Sequence, residues 1–94
     1  MRYKIELSPK AKKRLRLVPK IYKRAIAEAY KEISQDPFLG KELHDEYAGF
    51  FCYRLSVYRI IYKVIPKDKK VRIYSIGHRA TVYINDHPVQ LHYF

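Results

Sequence analysis

Glycine is scarce in this chain, with three in 94 residues. A loop that cradles phosphate on backbone amides needs several glycines close together, so that nucleotide-binding architecture is excluded. Cysteine is scarcer still. Cys52 stands alone, so no internal disulfide can form, which suits a reducing compartment. The four histidines are scattered and show no metal-ligand spacing with Cys52 or with Asp86, and no metal or cofactor is expected. No apolar run approaches the roughly 18 residues of a membrane span. The opening MRYKIELSPK lacks the apolar stretch of a signal peptide. These absences predict a soluble cytoplasmic protein without a membrane partner. Acidic residues are also few: nine Asp plus Glu stand against twenty Lys plus Arg, a formal charge of +11 and a pI near 9.8. That excess predicts attraction to a polyanion or to an acidic protein.

What is present reads as one domain over 1–94. Hydrophobic residues make up 48% of the chain, enough for one modest core. RYKIEL at 2–7 alternates with Tyr3, Ile5 and Leu7 on one side, which predicts a short strand. Ser8 is placed to cap a helix and Pro9 suits its first position. A very basic helix follows to about Val18, burying Ala11, Leu15 and Val18 and carrying Lys10, Lys12, Lys13, Arg14 and Arg16 outward. Beyond Pro19, a second helix over roughly 20–35 presents Ile21, Ala25, Ala29 and Ile33, widened by Tyr22, Ile26 and Tyr30. Residues 37–50 read as a loop. Three strands follow, at 51–57, 58–65 and 71–77, the last two separated by PKDKK. A short helical turn is expected within 78–86. The order is β-α-α-β-β-β, an α+β layer with a helical hairpin on a sheet whose last three strands are antiparallel.

YRLSVYRIIYKV at 53–64 carries the functional signal. A two- or four-residue turn would set Arg54 directly opposite Arg59. Phe51, Tyr53, Leu55, Tyr58, Ile60, Tyr62 and Val64 would then meet the helices. Cys52, Arg54, Arg59, Ile61 and Lys63 would form an exposed face. Ser56–Val57 supplies no residue that favours positive φ. Arginines facing each other destabilise a strand pair, and their planar forks match phosphate. In VRIYSIG, Arg72 beside Lys63 would extend this face with Tyr74 and Ile76, with Arg79 and Tyr83 following. Aromatics among cations suit unpaired bases. Basic strand faces also serve simply as solvated charge that deters edge pairing.

The pattern YRLSVYRIIYKV, a polar turn, then VRIYSIGHRATVY resembles the RelE/ParE superfamily of toxin–antitoxin toxins, RelE-like branch. The resemblance covers nearly the whole chain. It implies a basic, metal-independent ribonuclease that cuts mRNA in the ribosomal A site, with a concave basic sheet face as its active site and an acidic antitoxin, bound as a hetero-oligomer, that silences it. By position in the motif it implies catalytic roles for Arg54, Arg59, Arg79 and Tyr83, the last stacking on the mRNA base. Lys63, Arg72, Tyr74, Lys10 and Lys13 would bind mRNA or rRNA. A second lysine of the family's strand is replaced here by Ser56, and the hairpin is about two residues shorter. Arginine and tyrosine, with ordinary pKa values of roughly 12.5–13.8 and 10, are poor bases at neutral pH. His78 is the candidate proton donor or acceptor, since histidine titrates near neutrality. Two other readings stay open: a ParE-like toxin that poisons DNA gyrase and cleaves nothing, and an RNA-binding homologue with impaired catalysis.

Overall fold

A computed structural model describes residues 2–78, together with the backbone of two strands at 82–84 and 87–89. The elements run β1 (Lys4–Leu7), α1 (Pro9–Leu17), α2 (Lys20–Gln35), β2 (Lys41–Glu42), a 3-10 turn (Asp45–Tyr47), β3 (Phe50–Leu55), β4 (Tyr58–Ile65), β5 (Lys70–His78), β6 (Val82–Ile84) and β7 (His87–Val89). The main sheet has the order β1-β5-β4-β3-β2. β1 lies parallel to β5 at one edge, and the other pairings are antiparallel. The expected three-stranded segment is therefore the centre of a five-stranded sheet. β6 and β7 pair with each other, so the turn expected to be helical within 78–86 contains strand instead.

Both helices lie on one face of the sheet. Ser8 fixes the start of α1: its hydroxyl accepts from Ala11 N at 3.0 Å and donates to the Tyr74 carbonyl at 2.9 Å. One side chain thus caps the helix and anchors it to β5. From α2, Ile26, Ala29 and Ile33 are buried against Ile60, Tyr62, Val71, Ile73 and Ile76, with Tyr22 and Tyr58 edge-on at 5.1 Å. The stripe runs 22-26-29-33, and Ile21 lies off it, 81% exposed. Its place in the predicted stripe is corrected, because a 100° step per residue carries position 21 past the edge of the buried arc.

The segment before β3 is more ordered than a loop. β2 pairs Lys41 with Cys52 and Glu42 with Phe51. Leu43, Tyr47 and Phe50 then fold over Cys52 and Ile61 on the face away from the helices, making a second small core. Gly40 permits this route. A Cβ there would sit 2.5 Å from the Tyr62 hydroxyl, which accepts from Gly40 N at 3.1 Å and donates to the Pro37 carbonyl at 2.8 Å. Tyr62 is fully buried, and burial pushes its phenol up to about 12. Removing the hydroxyl leaves the Pro37 carbonyl and Gly40 N–H without that partner. Tyr62→Phe is expected to cost about 1–2 kcal/mol in urea unfolding, and an unchanged midpoint would show that the hydroxyl does not hold this segment.

Candidate functional site

Arg54 and Arg59 are Cα partners in the β3–β4 ladder, and Leu55 pairs with Tyr58 across a two-residue turn at Ser56–Val57. Side chains alternate along a strand. Tyr53, Leu55, Tyr58 and Ile60 pack on the helix side, so both arginines stand on the other face. Ser56 adopts φ +54, and Val57 is not among the described residues with positive φ. That sign pattern belongs to a II′ hairpin turn, which normally takes glycine first. The sequence offered no such residue, and the strands impose the conformation on a serine.

The two guanidiniums sit at different depths. Arg54 is exposed. Arg59 is 7% exposed, and its Nη1 donates to the Tyr58 carbonyl at 3.0 Å and the Ser56 carbonyl at 3.2 Å. Gly77 is its neighbour on β5 and places no side chain beside it. The expected exposed face is therefore partly closed. Cys52 and Ile61 are buried beneath Leu43, Tyr47 and Phe50, and Arg59 is withdrawn. Burial pushes the Cys52 thiol up to about 12, although Arg59, Arg54 and Lys41 act to lower it.

A second group of cations lies further along the same face. Lys63 is four residues past Arg59, roughly 13 Å along the strand, and its Nζ is 5.5 Å from the centre of the Phe50 ring. Phe50 meets Tyr74 edge-on at 5.0 Å, and Arg72 lies 5.6 Å from the Tyr74 ring centre. Lys63 and Arg72 pair as anticipated. Arg72, however, donates to Glu6 at 2.6 Å, and Lys70 approaches the same carboxylate at 3.6 Å. The bond from Arg72, then the charge of Lys70, hold the Glu6 carboxyl below its ordinary value of 4.5. Arg72 is thus half-buried and already neutralised. Phe50 and Glu6 were missed from sequence. Phe50 shares the parity of Cys52 and Arg54, which could have identified it. Glu6 required knowing that β1 lies beside β5.

A register shift between Ile61 and Tyr62 corrects a further expectation. Ile61 pairs with Ser75 and Tyr62 with Ile73, so Tyr74 is the extra residue of a bulge. The bulge reverses parity for the rest of β5. Ile76 enters the helix-side core instead of the open face. His78 pairs with Tyr58, ring to ring at 6.3 Å, and so lies on the side of the sheet opposite Arg54 and Arg59. Lys10 and Lys13 ride on α1, also on the helix side. Arg79 lies outside the described residues. Tyr83 is in β6, paired with Pro88, and its side chain lies outside them.

The buried thiol gives a direct check of this geometry. Cys52 is expected to resist a disulfide reagent at pH 8 in the native protein and to react at once in 6 M guanidinium. Native labelling as fast as that of a free thiol would mean that Leu43, Tyr47 and Phe50 do not cover it.

Comparisons with known proteins agree on one relationship. Residues 5–83 match the family described as the ParE toxin of type II toxin-antitoxin systems, parDE. The chain is 32% identical over 85 residues to Toxin RelG of Mycobacterium tuberculosis, spanning 88% of this chain and 98% of that one. Its fold is similar to that in the toxin-antitoxin complex RelBE2 from the same organism, with a TM-score of 0.78 and 29% identity over 83% of this chain and 99% of that one. The archaeal RelE-RelB complex from Pyrococcus horikoshii gives 0.65 and 28%, covering 84% and 97% of the two chains. The isolated RelE toxin of E. coli shares the fold at a TM-score of 0.72 and 21% identity, over 81% and 83%.

Proposed function

Because this chain belongs to the ParE toxin family within the RelE/ParE superfamily of type II toxins, we propose that it is a ribosome-dependent mRNA endonuclease. The observation that carries this reading is the direct opposition of Arg54 and Arg59 on the face away from the helices. Two cations set side by side cost the free fold, and a phosphate between or above them offsets that cost.

The reaction needs no cofactor. The 2′-OH of one nucleotide attacks the adjacent phosphorus, the P–O5′ bond breaks, and the upstream fragment ends in a 2′,3′-cyclic phosphate. A base takes the 2′-OH proton and an acid returns one to the leaving 5′-oxygen. Arg54, which is exposed, grips a non-bridging oxygen. Arg59 lies beneath it, buried, with its Nη1 bonded to the turn carbonyls of Ser56 and Tyr58. Arg79, one residue beyond β5, completes the cationic set, and Tyr83 stacks on the base beside the cut. Lys63 and Tyr74 guide the strand further along. Arg72 contributes less, because Glu6 neutralises it, and Lys10 and Lys13 contact rRNA from the other side of the molecule. Cys52, with its thiol held to about 12 by burial, is no base at neutral pH, and His78 faces away from Arg54 and Arg59. Catalysis then rests on positioning and charge.

The solved structure of the Mycobacterium tuberculosis relative is a toxin-antitoxin complex, and that of the Pyrococcus relative is a RelE-RelB complex. With a formal charge of +11, this chain is expected to form a hetero-oligomer with an acidic antitoxin. A second reading is favoured by the family description itself, which names the ParE toxin of parDE: the same fold would then poison DNA gyrase.

The test is primer extension on a reporter mRNA in a purified translation mix, with the same RNA lacking ribosomes as control. Cuts within codons are expected only with ribosomes. Arg54→Ala and Arg79→Ala should each slow cutting about 10²–10³-fold, the scale of losing one donor to transition-state charge. Cutting that survives in the double variant overturns the site. Growth arrest without cuts, together with loss of gyrase supercoiling, establishes the second reading.

A further inference from the structure

Arg59 has a task that the phosphate-binding reading does not describe. The β3–β4 turn has only two central residues, and the first is Ser56 at φ +54. A side chain with a Cβ pays for that region in steric strain. Such a conformation persists where the surroundings over-determine it. Here the surroundings include a cation. Arg59 Nη1 donates to the carbonyl of Ser56 itself at 3.2 Å and to that of Tyr58 at 3.0 Å. Both bonds are charge-assisted and sit where the side chain is 7% exposed.

The same bonds separate the two arginines. They are cross-strand partners, yet Arg54 is exposed and Arg59 is buried. The carbonyls draw the Arg59 charge down to the turn and leave Arg54 facing outward. A bidentate grip on phosphate through both Nη atoms of Arg59 would compete with the turn for the Nη1 protons. We propose that Arg59 is a positioning residue: it clamps the β3–β4 turn in its left-handed conformation and thereby sets the place of Arg54. This rests on the endonuclease reading only for its activity readout.

The experiment is a cycle of four full-length chains: wild type, Arg59→Met, Ser56→Gly and the two combined. Methionine keeps the buried aliphatic volume, and glycine adopts positive φ without strain. Two quantities are read on each preparation, the urea midpoint and the single-turnover rate of cutting ribosome-bound mRNA. Arg59→Met is expected to lower the rate at least 30-fold with Ser56 present. In the Ser56→Gly background the loss should shrink to under fivefold, and the fall in urea midpoint should be less than half as large. A loss in rate and midpoint that is the same in both backgrounds overturns the proposal, because a cation acting directly on phosphate would not be rescued by glycine in the turn. If Arg59→Met does not fold alone, Arg59→Gln, which keeps one donor for the turn, takes its place with the same criterion. If wild type cuts nothing, the endonuclease reading fails, and the urea cycle still decides whether Arg59 clamps the turn.

Discussion

The pairing of β3 with β4 is the constraint on which everything else depends. Its two-residue turn makes Phe51, Tyr53, Leu55, Tyr58, Ile60, Tyr62 and Val64 one apolar face and Arg54 and Arg59 neighbours on the other. A slip of one residue would turn one of the two strands over, sending its apolar side chains outward and its arginine beneath the helices. The energies settle which effect governs. Burying a large apolar side chain contributes about 1.5–3 kcal/mol, and seven depend on this register. Opposed like charges cost about 0.2–1 kcal/mol. Packing therefore wins easily, and the charge opposition is a tolerated by-product that a bound anion can turn to use.

The two faces are finished differently. The helix side is closed by α1 and α2 through a continuous core. Among the described residues, the other side is covered at its centre by Leu43, Tyr47 and Phe50. That cover divides the basic face into two ends. One holds Arg54 and Arg59 at the turn. The other holds Lys63, Arg72 and Lys70, with Glu6 cancelling part of the charge. At the turn end Arg59 is bonded to backbone carbonyls, whereas at the far end Arg72 and Lys70 share the Glu6 carboxylate.

Much of this was legible in the sequence, for identifiable reasons. The bounds of α2 at Lys20–Gln35 follow from Pro19 on one side and Asp36–Pro37 on the other. The register of Arg54 against Arg59 follows from the parity of alternating residues. What escaped was set by tertiary structure. The bulge at Tyr74 turned Ile76 inward and carried His78 to the side of the sheet opposite Arg54 and Arg59, and alternation alone cannot reveal an inserted residue. The covering segment before β3 depends on Gly40 lying against Tyr62, a contact between residues 22 apart. The pairing of Glu6 with Arg72 depends on β1 lying parallel to β5. Ser56 is a poor turn residue by its intrinsic preference, and the tertiary surroundings override that preference.

The central claim is that Arg54 and Arg59 oppose each other at some cost to the free protein and that an RNA backbone relieves it. The most direct measurement is urea unfolding of wild type and Arg54→Gln, each with and without a short single-stranded RNA at low salt. The account predicts that Arg54→Gln is the more stable of the two when free, by a few tenths of a kcal/mol to about 1 kcal/mol, and that RNA raises the wild-type midpoint well above that of the variant. If Arg54→Gln is destabilised, or if RNA stabilises both proteins equally, the opposed arginines are not the anion site.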